Sequence, residues 1–299
     1  MPLGAFAPGH LINLPIIMNY KTIIFVLFSI FIETNINAGI IIEESNLDTC
    51  LVEVLYERFK VTDTLDIKNK FVTNYLTLRA GNDASAFYSA KRKSYDSISS
   101  RTFEATIALL SDKEAFRKMS EEAREVIFKL KKERRTIVHD RFDITNWYYE
   151  EPYEEPVWEI TDSIDVINGL NCVKAMTSFR GRIWIAWFAP EIPLPEGPWK
   201  LCGLPGLIIY AYDTKGHYGY KAKRVTTKTT GYVELFNYSE RNKTTRLKAL
   251  KLKRKSLQES IAEKIKASGA FGIDPKPQNS TKLLEQRNYD FEETDYEHN

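Results

Sequence analysis

The stretch Gly181–Asp213, GRIWIAWFAPEIPLPEGPWKLCGLPGLIIYAYD, decides the fold because it encloses an irregular segment between two strongly apolar ones. Ile183–Ala189 and Leu207–Tyr212 are apolar at odd and even positions alike, which is typical of strands that are covered on both faces. The residues between them include several prolines and glycines, and proline is excluded from helix interiors and inner strands. The stretch therefore predicts two buried strands joined by a rigid, irregular loop.

This loop carries large apolar side chains that need cover, among them Trp199, Leu201 and Leu204. Residues 203–206 place glycines on either side of a Leu-Pro pair, directly before the second strand. Glycine permits backbone conformations that other residues resist, so these positions set how the chain enters that strand. We therefore predict an architectural loop in which Leu204 and Leu207 are buried and Gly206 has a positive φ.

The hexapeptide Gly-Leu-Pro-Gly-Leu-Ile and its flanks resemble the signature of the GLPGLI family. The structural signature comprises Gly203, Leu204, Pro205, Gly206, Leu207 and Ile208. The matching flanks are Gly181-Arg182, Ala186-Trp187, Glu191-Ile192-Pro193 and Gly197-Pro198-Trp199-Lys200. The resemblance extends over most of the chain after residue 38, although Asn288–Glu292 follows the family's C-terminal ending only loosely. It implies an exported, β-rich protein of Bacteroidetes-type bacteria, from a family with no established activity.

On both sides of this stretch, short runs of β-branched and aromatic residues alternate with turn residues, a pattern typical of an antiparallel sheet. Asp213–Gly216 is a predicted hairpin turn. The further predicted strands include Leu51–Lys60, Lys70–Arg79, Ala86–Ser89, Tyr218–Thr227 and Tyr232–Tyr238. We therefore predict a β-rich α+β fold built on an antiparallel sheet that is curled or closed into a partial barrel.

Two helices complete the predicted fold. Asp112–Arg135 is predicted as one long helix packed on the sheet, because its apolar residues recur at the spacing of a single helix face. These residues are Ala115, Phe116, Met119, Ala123, Val126, Ile127 and Leu130. A C-terminal helix is predicted over Ser256–Ala267, after the basic run Arg241–Lys255. We interpret that run as a solvated helix face, with contact to an anionic envelope surface as the alternative.

The N-terminal region has the parts of a secretory signal. Lys21 precedes the apolar run Ile23–Ile32, and Ala38 is a small residue suited to cleavage. The run is shorter than the roughly 20 apolar residues of a membrane span. We predict a signal peptide with an upstream extension at residues 1–38, a β-rich GLPGLI domain at residues 39–240, and a basic helical segment with an acidic tail at residues 241–299. A buried N-terminal strand or helix is the alternative to the signal.

This division predicts a mature chain without a transmembrane anchor, located in the periplasm or at the cell surface. Its composition, 43% apolar residues and a net charge of only +2, favours a sizeable core and gives no overall field that would favour nucleic acid. Four scattered histidines predict no metal site, and we predict no cofactor. Three cysteines are too few for a disulfide scaffold. Cys172 and Cys202 form a possible disulfide, which geometry alone can exclude.

A candidate ligand site lies around the first apolar strand of the signature stretch. Arg182 and Glu191 flank that strand, Trp184 and Trp187 lie within it, and Trp199 follows in the loop. One interpretation is a polar pair at the mouth of an aromatic-lined pocket, the usual anatomy of a small-ligand site. The other, which we favour, is a structural ion pair that attaches the loop to the sheet. No residue is assigned a catalytic role.

Three classes of function stay open from the sequence. We prefer a non-enzymatic binding or carrier protein of the bacterial cell envelope, whose partner is an apolar or lipidated ligand or an envelope protein. The first alternative is a hydrolase whose carboxylates, for example Asp162, Asp165 and Asp213, converge only in the fold. The second is an interaction module that presents the Gly/Pro-rich loop. A wide apolar interior favours the carrier, a cleft with two close carboxylates the hydrolase, and an exposed apolar loop the interaction module.

Overall fold

Fourteen strands and two helices make up the described part of this computed structural model. That part covers residues 41–99, 122–142, 145–238, 241–258 and 290–296, with a few isolated positions between 105 and 118. The strands are β1 Ile41–Thr49, β2 Val52–Val61, β3 Phe71–Ala80, β4 Ala84–Tyr88, β5 Val126–Leu130, β6 Arg135–Phe142, β7 Thr145–Pro152, β8 Glu159–Ile167, β9 Leu170–Phe179, β10 Arg182–Ala189, β11 Leu207–Asp213, β12 Tyr218–Thr226, β13 Tyr232–Tyr238 and β14 Asn242–Lys243. The helices are α1 Ala90–Ser99 and α2 Arg246–Gln258.

Twelve of these strands form one sheet in the order β14-β7-β6-β5-β4-β3-β2-β12-β11-β10-β9-β8, while β1 and β13 pair with each other. Every neighbouring pair is antiparallel except β14 and β7, which are parallel. The prediction of a β-rich, mainly antiparallel sheet is confirmed. The sheet is not closed into a barrel, because β8 and β14 each have a neighbour on one side only.

The strands around the signature stretch follow the predicted pattern because their residues are apolar on both faces. In β11 only two of the seven residues have partial exposure and the rest are buried. It lies between β10 and β12, as a doubly covered strand should. The strands predicted from Leu51, Lys70, Ala86 and Tyr218 onward are also present, each within a few residues of its predicted bounds.

The predicted long helix over Asp112–Arg135 is wrong in its C-terminal half. Val126–Leu130 is strand β5, which lies between β4 and β6 and is buried at every residue. Residues 131–134 form the turn into β6. A short apolar run covered on both faces resembles a stretch of buried helix, so periodicity does not distinguish the two. The N-terminal half of the predicted helix falls largely outside the described residues, as does the predicted signal peptide at residues 1–38.

The described C-terminal helix starts within the basic run and includes the first residues of the predicted helix, Ser256–Gln258. It begins at Arg246 instead of Ser256 and packs on β6 and β7. Ala249 and Leu250 are buried there, so an apolar stripe inside the basic run decides where the helix forms. The remainder of the predicted helix Ser256–Ala267, from residue 259 onward, falls outside the described residues.

The signature loop, defined as Pro190–Gly206 between β10 and β11, covers one face of the sheet and forms its main core. The Tyr56 hydroxyl of β2 donates a hydrogen bond to the carbonyl of Ile208, just after the loop ends, at 2.5 Å. In the sheet order, β2 lies three strands from β10 and four from β9. The end of the loop is therefore attached to a strand well away from the one where the loop begins. Its fully buried side chains include Trp199, Leu201 and Leu204. The space in front of these strands is therefore occupied by the protein's own side chains.

Candidate functional site

Two of the three tryptophans predicted to line a ligand pocket are core residues. Trp184 and Trp199 are completely buried, with ring centroids 5.4 Å apart. Trp187 is half-buried, and Lys174 Nζ lies 6.0 Å from its ring centroid. Trp184 and Trp187 are three residues apart on one strand and therefore point to opposite faces of the sheet. The three rings do not line a common pocket.

The predicted ion pair between Arg182 and Glu191 is wrong. Arg182 is buried, and its guanidinium pairs with Asp213 at 2.7 Å and with Asp290 at 2.8 Å. Glu191 is exposed and accepts a hydrogen bond from the Asn171 N–H at 3.0 Å. Glu191 therefore attaches the signature loop to β9, while Arg182 belongs to a different site at the other end of β10.

The family-like hexapeptide has the architecture expected of it. Leu204, Leu207 and Ile208 are each 1% exposed or less. Gly203 has a φ of 85°, where any other residue would be strained. A Cβ on Gly206, whose φ is 157°, would lie 2.4 Å from the Ala189 carbonyl oxygen. The backbone itself therefore excludes a side chain at this position.

A buried ion cluster attaches the signature loop to β4 and β5. Glu196 is fully buried, and its carboxylate pairs with Lys129 at 2.6 Å and with Lys131 at 3.0 Å. The Ser85 hydroxyl donates a hydrogen bond to the same carboxylate at 3.1 Å. Burial favours protonated Glu196, but the two ammonium groups outweigh burial and lower the pKa of its carboxyl. The loop therefore depends on β5, the strand that the periodicity assigned to a helix.

A second irregular segment, which belongs to the predicted acidic tail, docks on the same core. The C-terminal segment, defined as Asp290–Tyr296, reads DFEETDY and has neither helix nor strand. Phe291, Glu293 and Tyr296 are nevertheless buried. The segment lies in what we call the basic groove, which is formed by Arg180, Arg182, Lys200, Arg246 and Arg254.

At one end of the basic groove, Arg182 lies between a core carboxylate and the C-terminal segment. Its Nε donates a hydrogen bond to the Phe291 carbonyl oxygen at 2.9 Å. The Asp290 carboxylate, which pairs with Arg182, also lies 2.6 Å from His217 Nδ1. Burial alone would raise the pKa of Asp290, but His217 and Arg182 together lower it. This carboxyl is therefore held in its charged form by the fold.

The centre of the groove is occupied by Glu293. Its carboxylate lies 2.6 Å from Lys200 Nζ and also pairs with Arg246. Lys200 is shared with Glu151 of β7, again at 2.6 Å. Burial works against the charged form of Glu293, but Lys200 and Arg246 outweigh burial and lower its pKa to about 2. The groove thus stabilises a buried carboxylate from the C-terminal segment.

At the far end, α2 supplies an arginine that contacts both aromatic residues of the segment. The Arg254 guanidinium lies 4.4 Å from the Phe291 ring centroid and 5.5 Å from that of Tyr296. Its Nε also donates to the Tyr296 hydroxyl at 3.0 Å. Arg254 belongs to the basic run that we interpreted as a solvated face. Sequence contained a usable signal, since an entirely basic run and an acidic tail have complementary charge, but nothing in it placed them in contact.

The remaining chemistry-bearing residues do not assemble a metal site. Burial, reinforced by Arg241, lowers the pKa of His139 to about 3, whereas His217 pairs with Asp290. Within the described ranges, no group of three or more His, Cys, Asp or Glu side chains is arranged to hold a metal ion. The described ranges also contain no helix with the length and apolar character needed to cross a membrane.

The possible disulfide is not present, because Cys172 and Cys202 are both free thiols. They are buried in β9 and in the signature loop, respectively. Burial raises the pKa of each thiol to about 11. Since the thiolate is the reactive form, neither side chain is suited to nucleophilic chemistry, and both act as small core residues.

The three carboxylates considered for a hydrolase do not converge. Asp162 and Asp165 lie on the exposed edge strand β8, whereas Asp213 is buried against Arg182. A fourth carboxyl, that of Glu125, has a pKa raised to about 7 by burial, against the opposing effect of Lys253.

Two described cavities hold about 20 and 10 Å³, room for roughly one water molecule each.

The edge strand β8 exposes large apolar side chains. Ile164 and Val166 are two residues apart and share one face of the strand, as core-facing residues do. They are nevertheless 69% and 63% exposed. Among the residues that the structure describes, the strand pairs with β9 and has no partner on its other side. From Glu159 to Ile167 it carries three acidic residues and no basic one. In the described part of the chain the outer edge of β8 has no strand partner and lies beside apolar and acidic side chains, although the Val166 N–H already donates to the Asp165 carboxylate at 2.7 Å.

Comparisons with known proteins add a fold-level likeness. No family model matches the chain, and no curated protein matches it. Solved structures of PNGF-II in space groups P21 and C2 are similar to it, each with a TM-score of 0.45 and 16% sequence identity. The similarity covers 70% of this chain but only 34% and 33% of those chains, so the chain spans about a third of the length of the structures that it matches. The likeness transfers no activity.

Proposed function

We propose that this chain is an exported, GLPGLI-type binding protein of the bacterial cell envelope that acts without catalysis and holds an extended segment of a partner protein. The observation that carries the proposal is the exposed edge strand β8. A strand at a sheet edge can accept a further strand through main-chain hydrogen bonds, while its side chains give specificity. The occupant that we propose is a strand in which apolar residues alternate with lysine or arginine.

Charge complementarity supports this occupant. Glu159, Asp162 and Asp165 lie along β8 without a basic neighbour on the strand, so an incoming basic strand would gain favourable contacts and an acidic one would be repelled. Natural edge strands are commonly protected by charges or by short length. The charges of β8 do not protect the whole strand, which is nine residues long and exposes Ile164 and Val166 beside its acidic residues.

A protein ligand fits this molecule better than the apolar or lipidated ligand that we preferred from the sequence. An apolar carrier needs an interior space of several hundred cubic ångströms. In this protein the corresponding face of the sheet is covered by the signature loop, with Trp199 and Leu201 fully buried. The interaction-module alternative is therefore retained in modified form, since the exposed surface is β8 and not the Gly/Pro-rich loop.

The experiment uses a labelled ten-residue peptide of alternating valine and lysine as the probe. We expect fluorescence anisotropy to show salt-sensitive binding, and no binding of a valine–glutamate peptide of the same length. N-methylation of alternate amides should abolish binding, because it removes main-chain donors without changing charge. An Ile164→Lys/Val166→Lys variant should lose binding, while Ile183→Lys, on exposed β10 surface, should retain it. Equal binding of the N-methylated peptide would overturn the proposal.

Export is tested separately. N-terminal sequencing of the protein from its native host should begin near Gly39. A mature pool that retains Met1 or Met18 would contradict the signal peptide and with it the envelope location.

A further inference from the structure

The C-terminal segment Asp290–Tyr296 behaves as a bound peptide rather than as part of the sheet. It forms no strand with any neighbour in the described part of the chain. Its main chain makes a few isolated contacts: the Thr294 N–H donates to the Arg180 carbonyl at 2.9 Å, and the Tyr218 hydroxyl donates to the Asp290 carbonyl at 2.8 Å. Most of what holds it comes from side chains, which is how specific peptide ligands are recognised.

Charge complementarity is the first side-chain component. Four of the seven residues of the segment are acidic and none is basic. Arg182 forms an ion pair with Asp290. Glu293 pairs with both Lys200 and Arg246, and Arg246 also pairs with Asp295. Charge-assisted pairs of this kind are stronger than neutral hydrogen bonds and, when buried, are weakly screened.

Two aromatic anchors are the second component. Phe291 and Tyr296 are each 6% exposed, and both contact the Arg254 guanidinium of α2. Buried aromatic side chains and arginines are the residues that usually dominate binding energy at interfaces. Along the segment, the groove therefore binds an aromatic residue, then an acidic residue, then a second aromatic residue.

Part of the groove keeps its charge compensated without the segment. Arg182 also pairs with Asp213, at 2.7 Å. Lys200 and Arg180 both pair with Glu151, at 2.6 and 3.2 Å. These partners lie on β11 and β7 and not in the segment, so this part of the site is positioned by the sheet rather than by its occupant.

We propose that the basic groove is a peptide-binding site for an acidic segment with flanking aromatic residues, and that this chain's own C-terminal segment is its resident ligand. The site is distinct from the β8 edge and does not rest on the function proposed for that strand. A tethered ligand competes at an effective concentration near millimolar, so the groove accepts a second acidic peptide only when the resident segment is weakened or the incoming peptide is abundant.

The test uses the full chain carrying Phe291→Ser, Glu293→Gln and Tyr296→Ser, which leaves the groove residues intact. The probe is a fluorescein-labelled peptide with the sequence of residues 288–297. We expect the variant to bind it at least tenfold more tightly than the wild-type chain does, because the resident competitor is weakened. A peptide with its acidic residues amidated should bind at least tenfold more weakly than the native peptide.

A milder variant, Asp295→Asn/Tyr296→Ser, keeps the test decisive if the triple variant does not fold. Asp295 is the partly exposed end of the segment, so this change loosens only the outer anchor, and we expect a gain of about threefold. Lys223→Gln, at an exposed pair outside the groove, is the matched control and should leave peptide binding unchanged. A folded variant that binds no better than wild type, or equal binding of the amidated peptide, would overturn the proposal.

Discussion

The signature loop and the C-terminal segment are both irregular and both buried, but they are held by different forces. The loop carries Trp199, Leu201 and Leu204 into an apolar core, with one buried carboxylate, Glu196. The segment places two aromatic anchors and three carboxylates, those of Asp290, Glu293 and Asp295, on arginine and lysine side chains. Apolar burial responds little to pH, whereas ion pairs respond to it. Substitutions in the loop should therefore change the stability of the fold, and substitutions in the segment should mainly change how it is bound.

The largest effect is expected at the buried ion cluster of the signature loop. Glu196→Gln removes the partner of the fully buried Lys129, and an uncompensated buried charge costs about 3–5 kcal/mol. Urea unfolding followed by circular dichroism measures this loss. Adding Lys129→Met removes the buried charge as well, so the double variant should recover part of the stability. A double variant as unstable as the sum of both single changes would show that the ion cluster is not the cause.

Next in size are the leucines of the hexapeptide. Leu204→Ala and Leu207→Ala should each cost about 2–5 kcal/mol, because both side chains are buried and leave a cavity. Leu247→Ala, on the half-exposed face of α2, is the control and should stay within about 0.5 kcal/mol of wild type. If the loop leucines unfold at the wild-type urea midpoint, the loop is a surface element and not the core.

The C-terminal segment should respond to acid through Glu293. The pKa of Glu293 is about 2 in the fold and about 4.5 when unfolded. Its contribution, roughly 3 kcal/mol at most from the difference in pKa, is present above pH 4.5 and is lost as pH falls toward 2. Protonation of His139, whose pKa is lowered to about 3, also destabilises the fold, in an overlapping range of pH. The difference between wild type and Glu293→Gln, measured by unfolding at pH 7 and pH 3, isolates the segment. An equal difference at both pH values would contradict the assignment.

A smaller effect is expected from the backbone of the loop. Gly203→Ala places a side chain at a φ of 85°, which costs about 1–2 kcal/mol. Gly219→Ala is the matched control, because a Cβ there would meet the Ala211 carbonyl oxygen at an ordinary 3.7 Å. In thermal unfolding, we expect the Tm of the Gly203→Ala variant to fall by several degrees more than that of the Gly219→Ala variant.

The smallest effect on stability is expected at β8. Ile164→Lys should change the free energy of unfolding by no more than about 0.5 kcal/mol, since the side chain is 69% exposed. A large loss would mean that β8 is part of the core, which would remove the surface on which the proposed function rests.

The sequence determined the β-rich architecture and the character of the signature loop. The runs before and after residues 190–206 are apolar on both faces, and prolines and glycines interrupt everything between them, so two inner strands and an irregular connection follow from local chemistry alone. The burial of Leu204 and Leu207 followed for the same reason, because large apolar residues next to a buried strand find cover there.

Only the tertiary structure decided which charges meet. Local pattern assigned Val126–Leu130 to a helix, because a buried strand and a buried helical stretch share a composition, and the long-range pair of Lys129 with Glu196 was the missing information. Arg182 was paired with the nearby Glu191, but it meets Asp290, more than a hundred positions away. Charged side chains attract one another across space, so their spacing along the chain does not indicate which of them will pair. The sequence therefore supplied an acidic tail and a basic run, and the fold alone placed one in contact with the other.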